Sequence, residues 1–292
     1  MTKLFVFGLG YSARAVVRRL RPALQAAWGT TREPDKADQL AIQAVRPVLF
    51  DGRERRPAVG AALAKADHVL VSIPPSKQGD PVLAHHREDL AALKPRSLVY
   101  LSTVGVYGDH GGAWVDEASE CRPVSERSRL RLQAEDAWRR FAEETGVPTA
   151  IIRLAGIYGP GRGPFEKLRR GTARRIVKPG QVFNRIHVDD IATIVEAAFA
   201  GRANGVFNGA DDEPAPPQDV LAYAAELLGV PPPPEVAFED ADLTPMALSF
   251  YGDNKRVRND KIKRELGVQL ACPTYREGLA AVLAAERDRR EA

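Results

Sequence analysis

Leu4-Phe5-Val6-Phe7-Gly8-Leu9-Gly10-Tyr11-Ser12-Ala13 runs four apolar residues into a G-x-G-x-x-A turn. A strand that ends in two closely spaced glycines and opens into a helix brings bare main chain up to an anionic ligand. Gly8 makes the tight turn, Gly10 allows close approach to a pyrophosphate, and Ala13 keeps the helix tight on the strand. The helix starting at Tyr11 and Ser12 continues through Ala15, Val16, Val17 and Leu20. Its free N–H groups and partial positive charge favour a phosphate, and the Ser12 hydroxyl adds a donor. Gly8, Gly10, Tyr11, Ser12 and Ala13 are therefore expected to hold a dinucleotide.

Outward from this turn, short apolar runs alternate with longer Ala/Leu/Arg segments. Strands are expected at Leu4–Phe7, Ala26–Thr31, Val45–Phe50, His68–Ser72, Leu98–Leu101 and Thr149–Arg153, with helices beginning near Ser12, Lys36, Pro57, Val82 and Val124. Continuous apolar strands point to a parallel sheet covered on both faces. Strand–helix alternation makes the fold class α/β, a Rossmann doubly wound parallel sheet with a small C-terminal substrate-binding subdomain. The expected division is a dinucleotide-binding domain at 1–155 and, over 156–292, a smaller α/β part with returning elements of the sheet. Glycine- and proline-rich breaks at Gly156–Pro164, Pro214–Pro217 and Pro231–Pro234 mark the second part, with a helix at Asp219–Leu228 between the last two.

The second strand ends Gly29-Thr-Thr-Arg-Glu33. An acidic residue here suits the ribose hydroxyls of NAD, whereas an arginine accommodates the extra phosphate of NADP. Thr30, Thr31 and Arg32 offer two hydroxyls and a planar cation to a phosphate dianion and favour NADP as cofactor, with NAD left open by Glu33. Asp51, after the third strand, is placed either to accept from the adenine amino group or to cap its own turn before Gly52. Ser72 and Pro74 end the fourth strand and are expected to line the cofactor's path to the nicotinamide.

Composition narrows the rest. The 292 residues are 44% hydrophobic and 27% charged with a formal net charge of +4, a globular balance whose basic excess is too small to indicate nucleic acid. Arg169–Arg175 is the densest basic patch, yet it lacks interleaved aromatics for base stacking. Cys121 and Cys272 stand far apart in no ligand spacing, which points to a reducing cytoplasm and to no metal. The apolar N-terminal run is too short for a secretory signal, and no run of about 18 apolar residues exists to span a membrane.

Four further segments, Leu101-Ser-Thr-Val-Gly-Val-Tyr-Gly108, Arg153–Arg162, Arg185-Ile-His-Val-Asp-Asp-Ile191 and Lys255–Gly267, complete a set. Together with the glycine turn they resemble the extended short-chain dehydrogenase/reductase family of nucleotide-sugar epimerases and dehydratases, and particularly its atypical branch. The resemblance implies an NAD(P)-dependent oxidoreductase or epimerase/dehydratase acting on a sugar nucleotide or similar phosphorylated compound. Thr103 then matches the residue that binds the reacting hydroxyl or carbonyl, with Ser102 beside it on the cofactor. The family's Tyr-x-x-x-Lys, followed four residues later by Glu, falls on Arg127, Arg131 and Glu135. Arg131 keeps the charge that holds the nicotinamide ribose, but a guanidinium at position 127 stays protonated and cannot exchange a proton as a phenol does. His110, in the loop after Tyr107, is the alternative acid. Loss of the tyrosine with retention of the turn also fits a non-catalytic NADP(H) sensor or scaffold.

Substrate contacts are expected from Tyr107, Arg162 and Arg185, since guanidinium groups match diphosphate or carboxylate. Arg153 reads instead as a surface ion pair, and His187 and Tyr158 as structural. The resemblance further implies a homodimer through Val82–Leu93 and Val124–Glu144, whose Leu130, Ala134 and Ala137 form an apolar stripe; a core-facing helix explains the same stripe.

Overall fold

The computed structural model describes residues 2–33 and 44–291. Seven strands form one parallel sheet: β1 (Thr2–Phe7), β2 (Leu24–Thr31), β3 (Arg46–Leu49), β4 (His68–Val71), β5 (Ser97–Thr103), β7 (Thr149–Leu154) and β11 (Gly205–Gly209). Their spatial order is β11-β7-β5-β4-β1-β2-β3. Each pairs with its neighbour in parallel, for example Phe5 with Trp28 on one side and with Val69 on the other. The order reverses on either side of β1, so the topological switch point lies between β1 and β4, and there the carboxyl ends of the strands leave a crevice.

Both faces of the sheet are covered, which is why its strands read as unbroken apolar runs. Leu4 and Val6 point to the face packed by α1 (Tyr11–Leu20) and α6 (Val188–Ala200), among Val16, Val17, Ile191 and Val195. Phe5 and Phe7 point to the opposite face. That face is covered by α2 (Pro57–Leu63), α3 (Pro81–Leu93) and α4 (Glu126–Thr145), which contribute Val59, Leu63, Leu90, Trp138 and Phe141. Ala134, one of the stripe residues, turns onto this core, while Leu130 and Ala137 are half-buried. The core-facing reading of the stripe accounts for Ala134.

The rest of the chain forms short strand pairs and helices outside the main sheet. Short parallel pairs join β8 (Gly156–Tyr158) to β10 (Arg185–His187), β9 (Arg175–Val177) to β12 (Glu235–Ala237), and β6 (Trp114–Val115) to β13 (Arg256–Val257). Around them lie α5 (Pro164–Arg169), α7 (Pro217–Leu228), α8 (Pro245–Tyr251), α9 (Asp260–Leu266) and α10 (Tyr275–Glu291). A separate apolar cluster of Tyr158, Phe165, Val220, Ala224, Tyr275, Leu279 and Val282 holds this part together.

All six expected strands are present, as are the helices near Ser12, Pro57, Val82, Val124 and Asp219. The helix expected near Lys36 lies outside the described residues. The seventh strand, β11, is new: Gly205-Val-Phe-Asn-Gly209 is too short and polar to read as a strand. No helix among the described residues is long and apolar enough to cross a membrane.

Candidate active site

The glycine turn sits at the switch point. Gly8 has φ +85°, and a Cβ there would lie 2.4 Å from the Ile73 side chain; only glycine lets β1 turn this close to the end of β4. The Gly8 N–H donates to Thr30 Oγ1 at 2.8 Å, which ties the turn to the end of β2. Gly10 is different. It caps α1 in an extended conformation, and a Cβ there would meet nothing within 4 Å. The turn is therefore packed tight beneath and open above, with the N-terminus of a ten-residue helix at the opening. Ala13 is fully buried under the helix, and Ser12 is nearly so. Tyr11 leaves the turn and donates to the Pro160 carbonyl at 3.1 Å, while the Arg162 guanidinium lies over its ring at 5.6 Å. Arg162 thus belongs beside the glycine turn.

Thr31 and Arg32 end β2 at the same edge. Thr31 Oγ1 accepts from the Glu33 N–H at 3.2 Å, and Arg32 is exposed. Asp51 accepts from the Arg53 N–H at 3.1 Å, the self-capping turn geometry that was its plainer reading. Ser72 follows β4, its N–H donating to the Phe7 carbonyl, and Ile73-Pro74 run on past Gly8.

At the end of β5, Thr103 opens a short helical turn at Val104–Tyr107 by accepting from the Gly105 N–H at 3.1 Å. Across from it, the first turn of α4 brings Ser128. A side chain on Gly105 would begin 2.8 Å from Ser128 Oγ and 3.4 Å from Thr103 Oγ1, so both hydroxyls face one small space that the glycine keeps clear. Ser128 Oγ in turn accepts from Ser125 Oγ at 2.9 Å. Arg131, one turn further on, donates from one Nη1 to the Leu101 carbonyl at 2.6 Å and to the Tyr100 hydroxyl at 3.1 Å. It lies against the carboxyl end of β5.

Ser102 points away from the crevice. Its hydroxyl donates to Glu135 at 2.5 Å, and Glu135, fully buried, accepts from Arg153 Nε and Nη2 at 3.1 and 2.8 Å. Arg153 is thus a buried partner, not the surface ion pair expected. Burial works against its charge, but the Glu135 carboxylate outweighs that and raises its pKa. Its guanidinium also stacks on Tyr107 at 4.7 Å. Tyr107 is fully buried, donates to Asn208 Oδ1 at 2.8 Å, and has its pKa pushed up to about 12 by burial. Both Ser102 and Tyr107 are placed in the interior, behind the site. Arg185 is likewise drawn inward: its Nη1 donates to the Phe183 and Ala215 carbonyls at 2.8 and 3.0 Å. His110 Nε2 lies 3.2 Å from the carbonyls of both Tyr107 and Glu120, which fastens the loop after β5.

A second polar cluster lies behind β10. His187, Asp190 and Cys272 are buried with ligand-type atoms within 4.8 Å of one another. His187 Nδ1 accepts from the Asp189 N–H, which puts the ring proton on Nε2 and leaves no imidazole lone pair for a cation. Asp190 accepts from the Ala271 and Cys272 N–H groups at 2.7 and 3.0 Å, fastening the C-terminal segment to α6. Asp211 is buried nearby with neither carboxylate oxygen hydrogen-bonded, and burial pushes its pKa up to about 8 despite the positive charge of Arg185.

Comparison with known proteins fits this geometry. Residues 84–208 match the NAD dependent epimerase/dehydratase family. A conserved protein of unknown function from Silicibacter pomeroyi DSS is 50% identical, with a TM-score of 0.89 over 98% of this chain and 99% of that one. The segment 84–208 is thus similar to the NAD dependent epimerase/dehydratase family. A 3-diazoavenalumate denitrifying reductase from Streptomyces sp. is 29% identical over 153 residues, 48% of this chain, and the match spans about half (49%) of the reductase's length. UDP-glucuronic acid 4-epimerase from Bacillus cereus, solved in complex with NAD, shares the fold at 17% identity, with a TM-score of 0.75 over 98% of this chain and 99% of its own.

Ser128 and Gly105 were missed from sequence, because they meet across a helix–loop contact and carry no signal within their own segments. Thr30, read from sequence as a phosphate contact, is buried and holds the Gly8 N–H instead.

Proposed function

We propose that this protein is an NAD(P)-dependent oxidoreductase that exchanges hydride with a small molecule bound between Thr103 and the C-terminal part of the chain. The reading rests on one observation: the open face of Gly10 at the head of α1, over a turn pinned by Ile73 and Thr30. Main-chain amides there suit a pyrophosphate. A bound nicotinamide cofactor supplies a hydride donor or acceptor.

The chain's own groups then have distinct tasks. Gly8, Gly10 and Ser12 frame the pyrophosphate site, and Arg32 with Thr31 receives the phosphate that distinguishes NADP from NAD. Ile73 and Pro74 guide the cofactor toward β5, where Arg131 places a fixed cation for the ribose. Thr103 donates a hydrogen bond to the reacting oxygen and fixes its position. No phenol stands beside it: Arg127 occupies the first turn of α4, and it cannot donate or accept a proton at neutral pH. Hydride exchange here then draws its accompanying proton from solvent water and not from a tyrosine. A sugar nucleotide, the class named for the Bacillus cereus epimerase, is the family-level choice of substrate, although Arg185 and Tyr107 are engaged inside the protein. Pairing of two copies through α3 and α4 is the assembly this reading carries, checked by size-exclusion chromatography with light scattering.

A second reading, a cofactor-binding sensor without turnover, is favoured by the engagement of His110 with two carbonyls. Fluorescence titration with NADPH and NADH tests the binding turn, and no response to either coenzyme removes both readings. A panel of aldehydes, unsaturated acids and nucleotide sugars tests turnover; silence across it despite tight NADPH binding leaves the sensor. Arg32→Ala is expected to weaken NADPH by roughly tenfold and NADH little. Equal losses would remove the phosphate from Arg32.

A further inference from the structure

We infer that the crevice beside Thr103 takes a flat organic monoanion, with its carboxylate on Arg127 and its apolar body against Phe250. The inference rests on the hydride-exchange reading and narrows its substrate class. Arg127 is exposed in the first turn of α4. Its neighbour Ser128 is buried against Gly105, and Arg131 one turn later reaches the Leu101 carbonyl. Arg127 therefore stands at the carboxyl edge of β5, where an open parallel sheet places its ligand.

The surrounding guanidinium groups are committed. Arg129 donates to the Val124 carbonyl at 2.7 Å, Arg131 to Leu101, and Arg122 pairs with Glu120 at 2.6 Å. Arg127 has neither a hydrogen bond nor an ion pair to any described residue. Its guanidinium carbon lies 5.9 Å from the centroid of the Phe250 ring. Phe250 comes from α8 and is 48% exposed, and Leu248 on the same helix is 46% exposed. An exposed guanidinium from α4 and a half-exposed phenyl from α8 thus meet.

The chemistry of that pairing selects its occupant. A guanidinium binds a carboxylate through two parallel hydrogen bonds, and the positive end of α4 adds to its field. One uncommitted cation balances one negative charge, whereas a diphosphate brings at least two. A flat conjugated body stacks on the phenyl face and covers Leu248, removing apolar surface from water. An aryl or arylalkenoic acid has this shape and charge.

The test uses the full chain saturated with NADP+, titrated calorimetrically with trans-cinnamate, cinnamyl alcohol and UDP-glucose. Cinnamate is expected to bind at least about tenfold more tightly than the alcohol, a difference of about 1.4 kcal/mol. Arg127→Gln should cost about tenfold or more in cinnamate affinity, and Phe250→Ala several-fold, with NADP+ affinity within about twofold of wild type in both. Cinnamate binding that is undetectable in the NADP+-loaded protein, or equal in wild type and Arg127→Gln, overturns the inference. So does UDP-glucose binding more tightly than cinnamate and losing its affinity in Arg127→Gln, which would assign Arg127 to a phosphate. Failure of NADP+ itself to bind strikes the oxidoreductase reading instead, and is seen before any acid is added.

Discussion

Two glycines two residues apart do opposite work. Gly8 combines φ +85° with an Ile73 side chain 2.4 Å from where a Cβ would begin, so Gly8→Ala should destabilise the fold by roughly 1–3 kcal/mol. Gly10 has open space, so Gly10→Val should leave the urea midpoint nearly unchanged while reducing NADPH affinity by tenfold or more. If both variants lost stability equally, the opening above Gly10 would be packing surface and not a cradle. Asp211 gives the second prediction at this scale. Its folded pKa of about 8 stands above the ordinary 3.8, burial being the largest cause and Arg185 opposing it. The folded state therefore holds a proton that the unfolded chain has released. The stability this contributes is complete below about pH 4, falls as pH rises, and is gone above about pH 8. Asp211→Asn should flatten the slope and be more stable than wild type at pH 9 by about 2 kcal/mol. Melting curves at pH 6 and pH 9 check it; parallel shifts at both would mean that Asp211 is ionised and paired throughout.

At the scale of elements, α4 serves two masters. Its first turn sets Ser128 beside Gly105 and Thr103, and its middle is locked to the sheet through Glu135, Arg153 and Ser102. Removing one member of a buried ion pair leaves an uncompensated charge. Glu135→Leu is therefore expected to cost about 3–5 kcal/mol in urea unfolding, while Glu135→Leu with Arg153→Met recovers much of that loss. A double variant no better than the single would show that the lost hydrogen bonds, and not the stranded guanidinium, dominate. The same network fixes where α4 begins, and so where Arg127 stands relative to Thr103.

For the whole molecule, the question is whether the two parts of the chain unfold together. The sheet contributes clusters on both faces, and the C-terminal part has its own cluster around Phe165, Tyr275 and Leu279. Asp190 on α6 grips the main chain at Ala271 and Cys272, while Asn208 on β11 takes one hydrogen bond from the Tyr107 hydroxyl and gives one to the Arg258 carbonyl. These crossings couple the two parts, and we expect a single calorimetric transition whose van't Hoff and calorimetric enthalpies agree. Two resolved transitions would mean that 156–292 folds as a separable unit.

The sequence by itself determined the strand–turn–helix at Gly8–Ala13, the six apolar strands and their parallel class, because hydrophobic runs and glycine turns are local signals. It also carried the family likeness, with arginines at 127 and 131 where the resemblance expects a tyrosine and a lysine. Only the tertiary structure decided which polar groups face the crevice. Tyr107, Ser102, Arg153 and Arg185 belong to motifs that read as site or surface, yet each finds its partner far along the chain, at Asn208, Glu135 and Ala215, and is drawn into the interior. Burial and pairing are properties of residues brought together across the fold, and no spacing within one segment encodes them. Phe250 meets Arg127 for the same reason: 123 positions separate them, and the return of the chain across the sheet is what closes the distance.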